Sequence, residues 1–310
     1  MTTNYERAIQ NTLLYHQLGK VLSALKREHI PVIILSGAAL AETVYPDISQ
    51  RVMGDVDILI KKDDLDKVNT ILVELGYHAT LSGEYHYQLK NGYDACPIDI
   101  HTEFWYLNEA SLTSVWQNAR GTIIAGESVL TLPPEETIVY LVADMVFHGW
   151  LKPSVLNDFK YLVSRYYQRL NWSTAVNQLQ AYRLEIPAYY FFTTARQKVN
   201  AEIPVEVIAF LESLPSRFIE SMIYQLVLTA PPIRHSGHLL ELISIKDKIK
   251  YLKSTFLPGR SFLARRYPRN TVPLVLLYPL RAIMHLWRTT KIIVQILIHI
   301  TLSGFVRLDR

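Results

Sequence analysis

The stretch LSGAALAETVYPDISQRVMGDVDILI, Leu35 to Ile60, places two aspartates one residue apart in an otherwise apolar segment. The run DVDILI is β-branched and apolar apart from Asp55 and Asp57, which predicts a buried strand. Side chains two residues apart leave the same face of a strand, so the two negative charges lie close together and repel. A lone Asp-x-Asp pair is common on exposed strand edges, but the apolar neighbours here predict that something positive compensates the charges.

A second strand, predicted for PIDIHTEFW, supplies a third carboxylate. Period-two alternation puts Asp99, His101 and Glu103 on one face and Ile98 and Ile100 on the other. If this strand neighbours the first, Asp99 joins a cluster of acids whose repulsion is best relieved by a cation.

Magnesium is the cation that suits such a cluster, with Mn²⁺ as an alternative. Mg²⁺ prefers hard oxygen ligands and commonly sits between a few carboxylates and the phosphates of a substrate. Two such ions hold the attacking and leaving oxygens of an in-line displacement. The sequence therefore predicts a magnesium site at the cluster of Asp55, Asp57 and Asp99.

The elements around this segment predict a place for the phosphates. PVIILS is read as a short buried strand that ends at Gly37, and AALAETVY as the helix that follows. Free backbone N–H groups and the positive end of this helix would face a triphosphate, and the Ser36 hydroxyl adds a donor. An amphipathic helix over residues 5–28 precedes the strand, and a helix from Asp63 to Leu75 follows the aspartates.

The fold class predicted from these patterns is α+β. Strands over 77–90 and 95–104, joined at Asn91-Gly92, complete a small mixed sheet with helices on one side. A hairpin follows Gly121, and nearly everything from Pro133 to about Lys253 reads as helix. The predicted domains are an α/β domain over 1–132, a helical domain over 133–256 and a basic, apolar C-terminal tail over 257–310.

The order of these motifs resembles a known family. A strand, a glycine, a helix, Asp-x-Asp on the next strand and a third Asp on a later one is similar to the DNA polymerase β-like nucleotidyltransferase superfamily. The pattern SGAAL, YP, RVMGDVDILI, GY and PIDIH resembles, more narrowly, a bacterial group of uncharacterised nucleotidyltransferases. The likeness spans roughly Val32 to Trp105, about a third of the chain.

The resemblance implies roles for individual residues. Asp55 and Asp57 would ligate both metal ions, and Asp99 would ligate one and help to deprotonate an acceptor hydroxyl. Gly37 and Ser36 would cradle the phosphates of the donor. The family commonly has Ser or Gly directly after the motif glycine, whereas this chain has Ala38. One side-chain phosphate contact is lost there, and the backbone contacts remain.

Four further residues have two interpretations each. Arg51 borders the same cleft, where its guanidinium would hold a triphosphate oxygen or form a salt bridge with a cluster aspartate. His101 and Glu103 would touch the acceptor or support the aspartates through hydrogen bonds. The resemblance implies that the helical domain covers the nucleotide, so Lys152 would reach a phosphate; helix pairing is the other interpretation.

The charge of the chain is unevenly distributed. Residues 233–310 contain fourteen Lys and Arg against three acids, a net charge of +11, which leaves −7 on the rest because the whole chain carries +4. A basic C-terminal third predicts an anionic partner, which is either nucleic acid or the surface of an anionic membrane. The tail has one polar stripe on an apolar helix, and its longest uncharged run is too short to cross a bilayer. It would lie on an anionic membrane surface, or pack against the helical domain.

The composition favours a globular protein of a reducing compartment. The chain has 310 residues, of which 49% are apolar, and Cys96 is the single cysteine, so it can form neither an internal disulfide nor a thiolate metal cluster. The first ten residues are not typical of a signal peptide. We expect a cytoplasmic protein, peripheral to the membrane if the tail binds lipid.

The leading hypothesis is an Mg²⁺-dependent nucleotidyltransferase that transfers a nucleoside monophosphate from an NTP to a hydroxyl and releases pyrophosphate. Its partners would be an NTP and an acceptor, which is a small molecule, a protein or RNA; the sequence selects neither the nucleobase nor the acceptor, nor the oligomeric state. The alternative is a catalytically weak nucleotide-binding protein that acts as a regulator or as a membrane-peripheral partner.

Overall fold

The structure, a computed structural model, describes residues 4–79, 86–89, 96–148 and 151–214, together with six helical positions between 278 and 294. Most of the predicted tail, 257–310, therefore lies outside the described residues, as does the predicted Asn91-Gly92 turn. None of the described helices combines the length and apolarity needed to cross a membrane.

A mixed seven-stranded sheet forms the centre of the molecule. Its strands are β1 Ile33–Ile34, β2 Val56–Leu59, β3 Tyr77–Ala79, β4 His86–Leu89, β5 Ile98–His101, β6 Arg120–Ile124 and β7 Glu127–Thr131. Their order across the sheet is β3-β4-β5-β2-β1-β7-β6. The pairs β2·β5 and β1·β7 are parallel, and the other four pairs are antiparallel.

Helices cover both faces of this sheet. In the described residues they are α1 Asn4–Arg27, α2 Ser36–Thr43, α3 Leu65–Glu74, α4 Glu109–Asn118, α5 Pro134–His148, α6 Pro153–Tyr166, α7 Trp172–Ala181, α8 Glu185–Val199 and α9 Val205–Ser213. The fold class is the predicted α+β arrangement, in which a small mixed sheet is followed by helices.

Alternation along the strands separates two apolar cores. On one face Ile34 and Ile58 pack with residues of α1 and α3, such as Leu18 and Leu72. On the other face Ile33 and Leu59 pack with residues of α5, α6 and α8. The helices predicted on one side of the sheet are thus α1 and α3, and the segment predicted as a separate helical domain covers the opposite face. The sheet and the helices α5, α6 and α8 share one hydrophobic core, which therefore extends across the predicted boundary at residue 132. The domain limits stay a prediction.

Two local predictions have clear outcomes. The hairpin after Gly121 is confirmed: β6 and β7 are antiparallel, and Ala125 and Gly126 between them have φ of 52° and 80°, which is the backbone of a two-residue type I′ turn. The single strand expected over 77–90 is wrong, because β3 and β4 are separate strands that pair antiparallel with each other. Two short strands with similar β propensity cannot be told from one long strand by alternation alone.

Candidate functional site

A cavity of about 500 Å³ lies between the β2 and β5 side of the sheet and the helices α5 and α6. This volume is within the range of small-molecule sites, about 300–1,000 Å³. The predicted site residues that line it are Ser36, Arg51, Asp55, Asp57, Asp99, His101, Glu103 and Lys152. The fold therefore brings eight of the nine predicted residues together, from four separate segments of the chain.

The strand pairing explains how the carboxylates meet. Asp57 on β2 and Asp99 on β5 are direct partners across a parallel pair, so their side chains leave the same face of the sheet. Both are half-buried, while Ile98 and Ile100 on the opposite face are buried. Asp55 precedes β2 by one residue and is exposed at the cavity.

His101 holds one of these carboxylates in place. Its Nε2 lies 3.1 Å from Oδ1 of Asp57. His101 is two residues beyond Asp99 on β5, so the same alternation that places Asp99 also turns the imidazole towards Asp57. Of the two interpretations of His101, the geometry favours the hydrogen bond to an aspartate. Glu103 lies beyond the end of β5 and is exposed.

The carboxylates of Asp55, Asp57 and Asp99 are the kind of oxygen ligands that magnesium prefers, although they do not form a complete metal site by themselves. Among the described residues no group of three or more His, Cys, Asp and Glu side chains is arranged to hold a metal ion. Asp57 and Asp99 supply adjacent hard oxygen ligands, and Asp55 borders the same space. Mg²⁺ usually keeps several waters and binds through one or two carboxylates plus substrate phosphates. These residues suit a metal that arrives with its substrate.

The start of α2 differs from the predicted phosphate cradle. The helix begins at Ser36, which has a positive φ of 41°, and not after Gly37. Gly37 is buried, and its N–H donates to Ser36 Oγ at 2.5 Å. Ser36 itself lines the cavity. The backbone N–H of Gly37 thus already has an acceptor, and the phosphate contact predicted for Gly37 stays a prediction.

Arg51 is held by a residue that the sequence analysis did not select. Its Nε and Nη2 lie 2.8 and 2.9 Å from the two carboxylate oxygens of Asp158 on α6. The Tyr45 hydroxyl donates to Asp158 Oδ1 at 2.7 Å. Burial lowers the pKa of the Arg51 guanidinium, but Asp158 more than offsets this and leaves the pKa above its ordinary value. Arg51 is therefore a charged group that forms a salt bridge with Asp158 on α6, and the negative charge of Asp55 also raises its pKa.

The opposite wall of the cavity comes from α5 and the start of α6. Tyr140, Asp144 and His148 follow each other at intervals of four residues on α5, and all three line the cavity. Nε2 of His148 lies 3.1 Å from Oδ1 of Asp144. Burial alone would raise the pKa of Asp144, but His148 and then Lys152 hold it below its usual range. The i, i+4 spacing of Asp144 and His148 was visible in the sequence, although it does not say which way the pair faces.

Tyr140 is a functional candidate that the sequence did not indicate. Its side chain is 7% exposed and lines the cavity. Burial, followed by the charges of Asp57 and Asp144, raises the pKa of its phenol well above the ordinary value. The hydroxyl is therefore protonated and able to donate a hydrogen bond to a ligand in the cavity.

Aromatic side chains form the remaining apolar surface of the cavity. Phe104, Trp105 and Tyr106 follow the end of β5 after two intervening residues. Phe147 on α5 is 42% exposed although it is a large apolar side chain. Phe104 stacks on Tyr106, with ring centroids 5.6 Å apart and planes 13° apart. Aromatic side chains beside carboxylates and a lysine are typical of a site for a ligand that has both a flat ring and charged groups, and among these four Phe147 is the exposed one.

Three solved structures are remotely similar to this chain. The solution structure of the antibiotic-resistance factor ANT(2'')-Ia is 16% identical, with a TM-score of 0.38, and the match covers 61% of this chain and 96% of that one. An antigenic nucleotidyltransferase-like protein from Paracoccidioides brasiliensis is 15% identical, with a TM-score of 0.38 and coverage of 63% and 95%. A tRNA nucleotidyltransferase solved with a primer tRNA and an ATP analogue is 14% identical, with a TM-score of 0.25 and coverage of 93% and 99%. Likenesses this remote carry no argument about function.

The comparison with family sequence models is more informative. No curated protein sequence matches the chain. One family model covers residues 2–200, about two thirds of the chain, and this range includes every residue that lines the cavity. The chain therefore belongs to the family described as uncharacterised nucleotidyltransferases.

Proposed function

We propose that this protein is an Mg²⁺-dependent nucleotidyltransferase that transfers a nucleoside monophosphate from an NTP to a hydroxyl group of an acceptor and releases pyrophosphate. Membership of the family supports nucleotide transfer in general. The observation that carries the finer proposal is the pairing of Asp57 with Asp99 across β2 and β5, on the wall of a cavity that Asp55 also lines.

The donor nucleotide would bind between the start of α2 and the start of α6. Ser36, Arg51 and Lys152 line this part of the cavity and supply one hydroxyl and two cationic groups for the triphosphate. Asp55, Asp57 and Asp99 would hold Mg²⁺, which when bound neutralises phosphate charge and aligns the reacting oxygens. The exposed ring of Phe147 offers a surface for the base.

The chemical step needs little beyond this arrangement. The acceptor oxygen forms a bond to the α-phosphorus of the NTP while the bond from that phosphorus to the bridging oxygen breaks and pyrophosphate leaves. Asp99 would take the proton of the acceptor hydroxyl, and His101 would keep Asp57 oriented through the 3.1 Å contact. Glu103 is exposed at the cavity and would contact the acceptor.

A transfer assay tests this proposal directly. The protein is incubated with Mg²⁺, each of the four NTPs labelled at the α-phosphate, and a cell extract as the pool of acceptors; pyrophosphate release and transfer of label are followed. We expect both signals with at least one NTP, and their loss in Asp55→Ala. Glu74→Gln, which changes an exposed acid on α3 outside the cavity, is the matched control and should retain them.

The same assay separates the enzyme from a nucleotide-binding regulator. A regulator would bind an NTP in equilibrium dialysis and release no pyrophosphate under any of these conditions. Signals that persist in Asp55→Ala would mean that the carboxylates are not the catalytic groups, and the proposed mechanism would be wrong.

A further inference from the structure

Arg51 lies at the centre of a polar contact that joins three elements of the fold. Both oxygens of Asp158 on α6 accept from it, and its Nη1 donates to the carbonyl oxygen of Val52. Asn11 on α1 donates to the carbonyl oxygen of Arg51 at 2.8 Å, which fixes the backbone of the loop as well. The side chain of Arg51 is therefore restrained in position and in the orientation of its plane.

The residue that restrains Arg51 is fully buried. Asp158 has no exposed surface, and Arg51 is 12% exposed. Buried ion pairs of this kind contribute little net stability compared with apolar residues of similar volume, because removing both charges from water is costly. The pair is better explained by what it positions than by what it stabilises.

The guanidinium of Arg51 also packs closely against Gly37 at the start of α2. A Cβ on Gly37 would lie 3.0 Å from Nη2 of Arg51 and 3.2 Å from its Cζ, so a larger residue would require the guanidinium to shift by a few tenths of an ångström. An arginine has five N–H donors. Asp158 and Val52 accept from three of them, which leaves two for a ligand in the cavity that Arg51 lines.

We propose that Asp158 is a positioning residue: held by a hydrogen bond from Tyr45, it fixes the direction in which Arg51 meets the triphosphate, so that Asp158 sets nucleotide affinity without touching the nucleotide. The inference rests on the proposed function, since it assumes that the cavity binds an NTP. Because Asp158 and Arg51 are 107 residues apart in sequence, it also gives the helices after the sheet a part in nucleotide binding.

The test compares nucleotide affinity with folding in matched variants. Binding of each of the four Mg²⁺–NTPs to the full chain is measured by isothermal titration calorimetry, and thermal unfolding is recorded for each variant. Asp158→Asn keeps the shape of the side chain and removes its charge, and we expect it to raise the Kd about 10- to 100-fold. Tyr45→Phe removes one hydrogen bond to Asp158 and leaves the ion pair, and a rise of about threefold is expected.

A double variant shows whether Asp158 acts through Arg51. If it does, Arg51→Lys/Asp158→Asn binds the nucleotide no more weakly than Arg51→Lys alone. A lysine has a single ammonium group and no planar guanidinium whose orientation Asp158 could fix. Glu136→Gln is the control: Glu136 is another buried acid of the helical layer, bonded to Asn118 and away from the cavity. It should retain the Kd of the unmodified chain whatever it does to thermal stability.

Four results would overturn the inference, and each comes from a different sample. An unchanged Kd in Asp158→Asn, or a double variant whose effects simply add, rejects the positioning role while the proposed function stands. Should Asp158→Asn fail to fold, an unchanged Kd in Tyr45→Phe rejects it instead. If the unmodified chain binds none of the four NTPs, the proposed function itself fails and the inference fails with it.

Discussion

Asp57 and Asp99 are direct partners across the parallel strands β2 and β5, with Asp57 also bonded to His101 two residues beyond Asp99. Neighbouring strands are about 4.8 Å apart, so two carboxylates leave one face of the sheet at close range. Such a pair is unfavourable unless a positive charge lies between or beside the oxygens. The first two predictions depend on this relationship.

The first prediction concerns the two carboxylates themselves. Asp57→Asn and Asp99→Asn should each lower kcat/KM by about 10²- to 10³-fold, because losing one ligand of a metal that stabilises transition-state charge costs several kcal/mol. Transfer of labelled nucleotide measures the loss, with Glu74→Gln as the unaffected control. Addition of EDTA should abolish the activity of the unmodified chain. Retention of most activity in either aspartate variant, or in EDTA, would contradict the metal-dependent mechanism.

The second prediction concerns His101. Because its Nε2 contacts Asp57 Oδ1, His101→Gln should weaken the affinity for Mg²⁺ by about 10- to 100-fold, as is usual when a partner that orients a metal ligand is lost. Activity titrated with Mg²⁺ at saturating NTP measures this, and excess Mg²⁺ should restore most of it. His16→Gln changes an exposed histidine of α1 and should leave the titration unchanged. A variant that excess Mg²⁺ does not rescue would indicate that His101 acts in the chemical step instead.

Much of the site could be predicted because its signals are local. The alternation of PIDIH places Asp99 and His101 on one face, and the apolar residues beside Asp55 and Asp57 indicate a strand; both patterns are fixed by the geometry of the pleat. Their meeting needed one further step, the pairing of the two strands, and the parallel register of β2 with β5 supplies it.

The other half of the site could not be predicted because it depends on contacts distant in sequence. Nothing near Arg51 indicates that Asp158 binds it, and nothing near Tyr140 indicates that it faces the acids. Helical periodicity shows that Asp144 and His148 share a face of α5 but not what that face packs against. The positive φ of Ser36 was missed because glycine, here the next residue, is the usual choice for that conformation.

The third prediction concerns the basic C-terminal third. The described positions Ile283, Trp287 and Val294 are helical, and these large apolar side chains are between 47% and 66% exposed. Together with the net charge of +11 on residues 233–310, this favours an anionic lipid surface. The full chain should sediment with phosphatidylglycerol vesicles at low salt, and release should follow when the salt is raised.

Substitution of the exposed apolar positions tests that interpretation. Ile283→Ser/Trp287→Ser should release the chain from anionic vesicles, because the apolar contact is lost while the charge is kept. Phosphatidylcholine vesicles serve as the neutral control and should bind neither protein. If the substituted chain sediments as well as the unmodified one, or if neither sediments, the lipid interpretation is wrong and the helix instead packs on protein.

The fourth prediction concerns Cys96, which is fully buried two residues before β5. Burial, aided by the charge of Asp55, raises the pKa of its thiol to about 12. The thiolate is the reactive form, so at pH 8 only about 10⁻⁴ of the folded population is reactive, against about a quarter of an unfolded chain. A thiol reagent such as DTNB should therefore label Cys96 at pH 8 only after the chain unfolds.

The raised pKa of Cys96 also fixes how stability depends on pH. Above about pH 8.5 the unfolded chain loses the thiol proton while the folded chain keeps it, so the contribution of Cys96 is fully present below that pH and declines as the pH rises towards 12. Urea unfolding between pH 8 and 11 should show a steeper loss of stability for the unmodified chain than for Cys96→Ala, which has no thiol to ionise. If the stability of both chains falls equally with pH, or if DTNB labels the native chain rapidly at pH 8, the start of β5 opens to solvent far more readily than its packing indicates. Asp99 would then be poorly fixed beside Asp57.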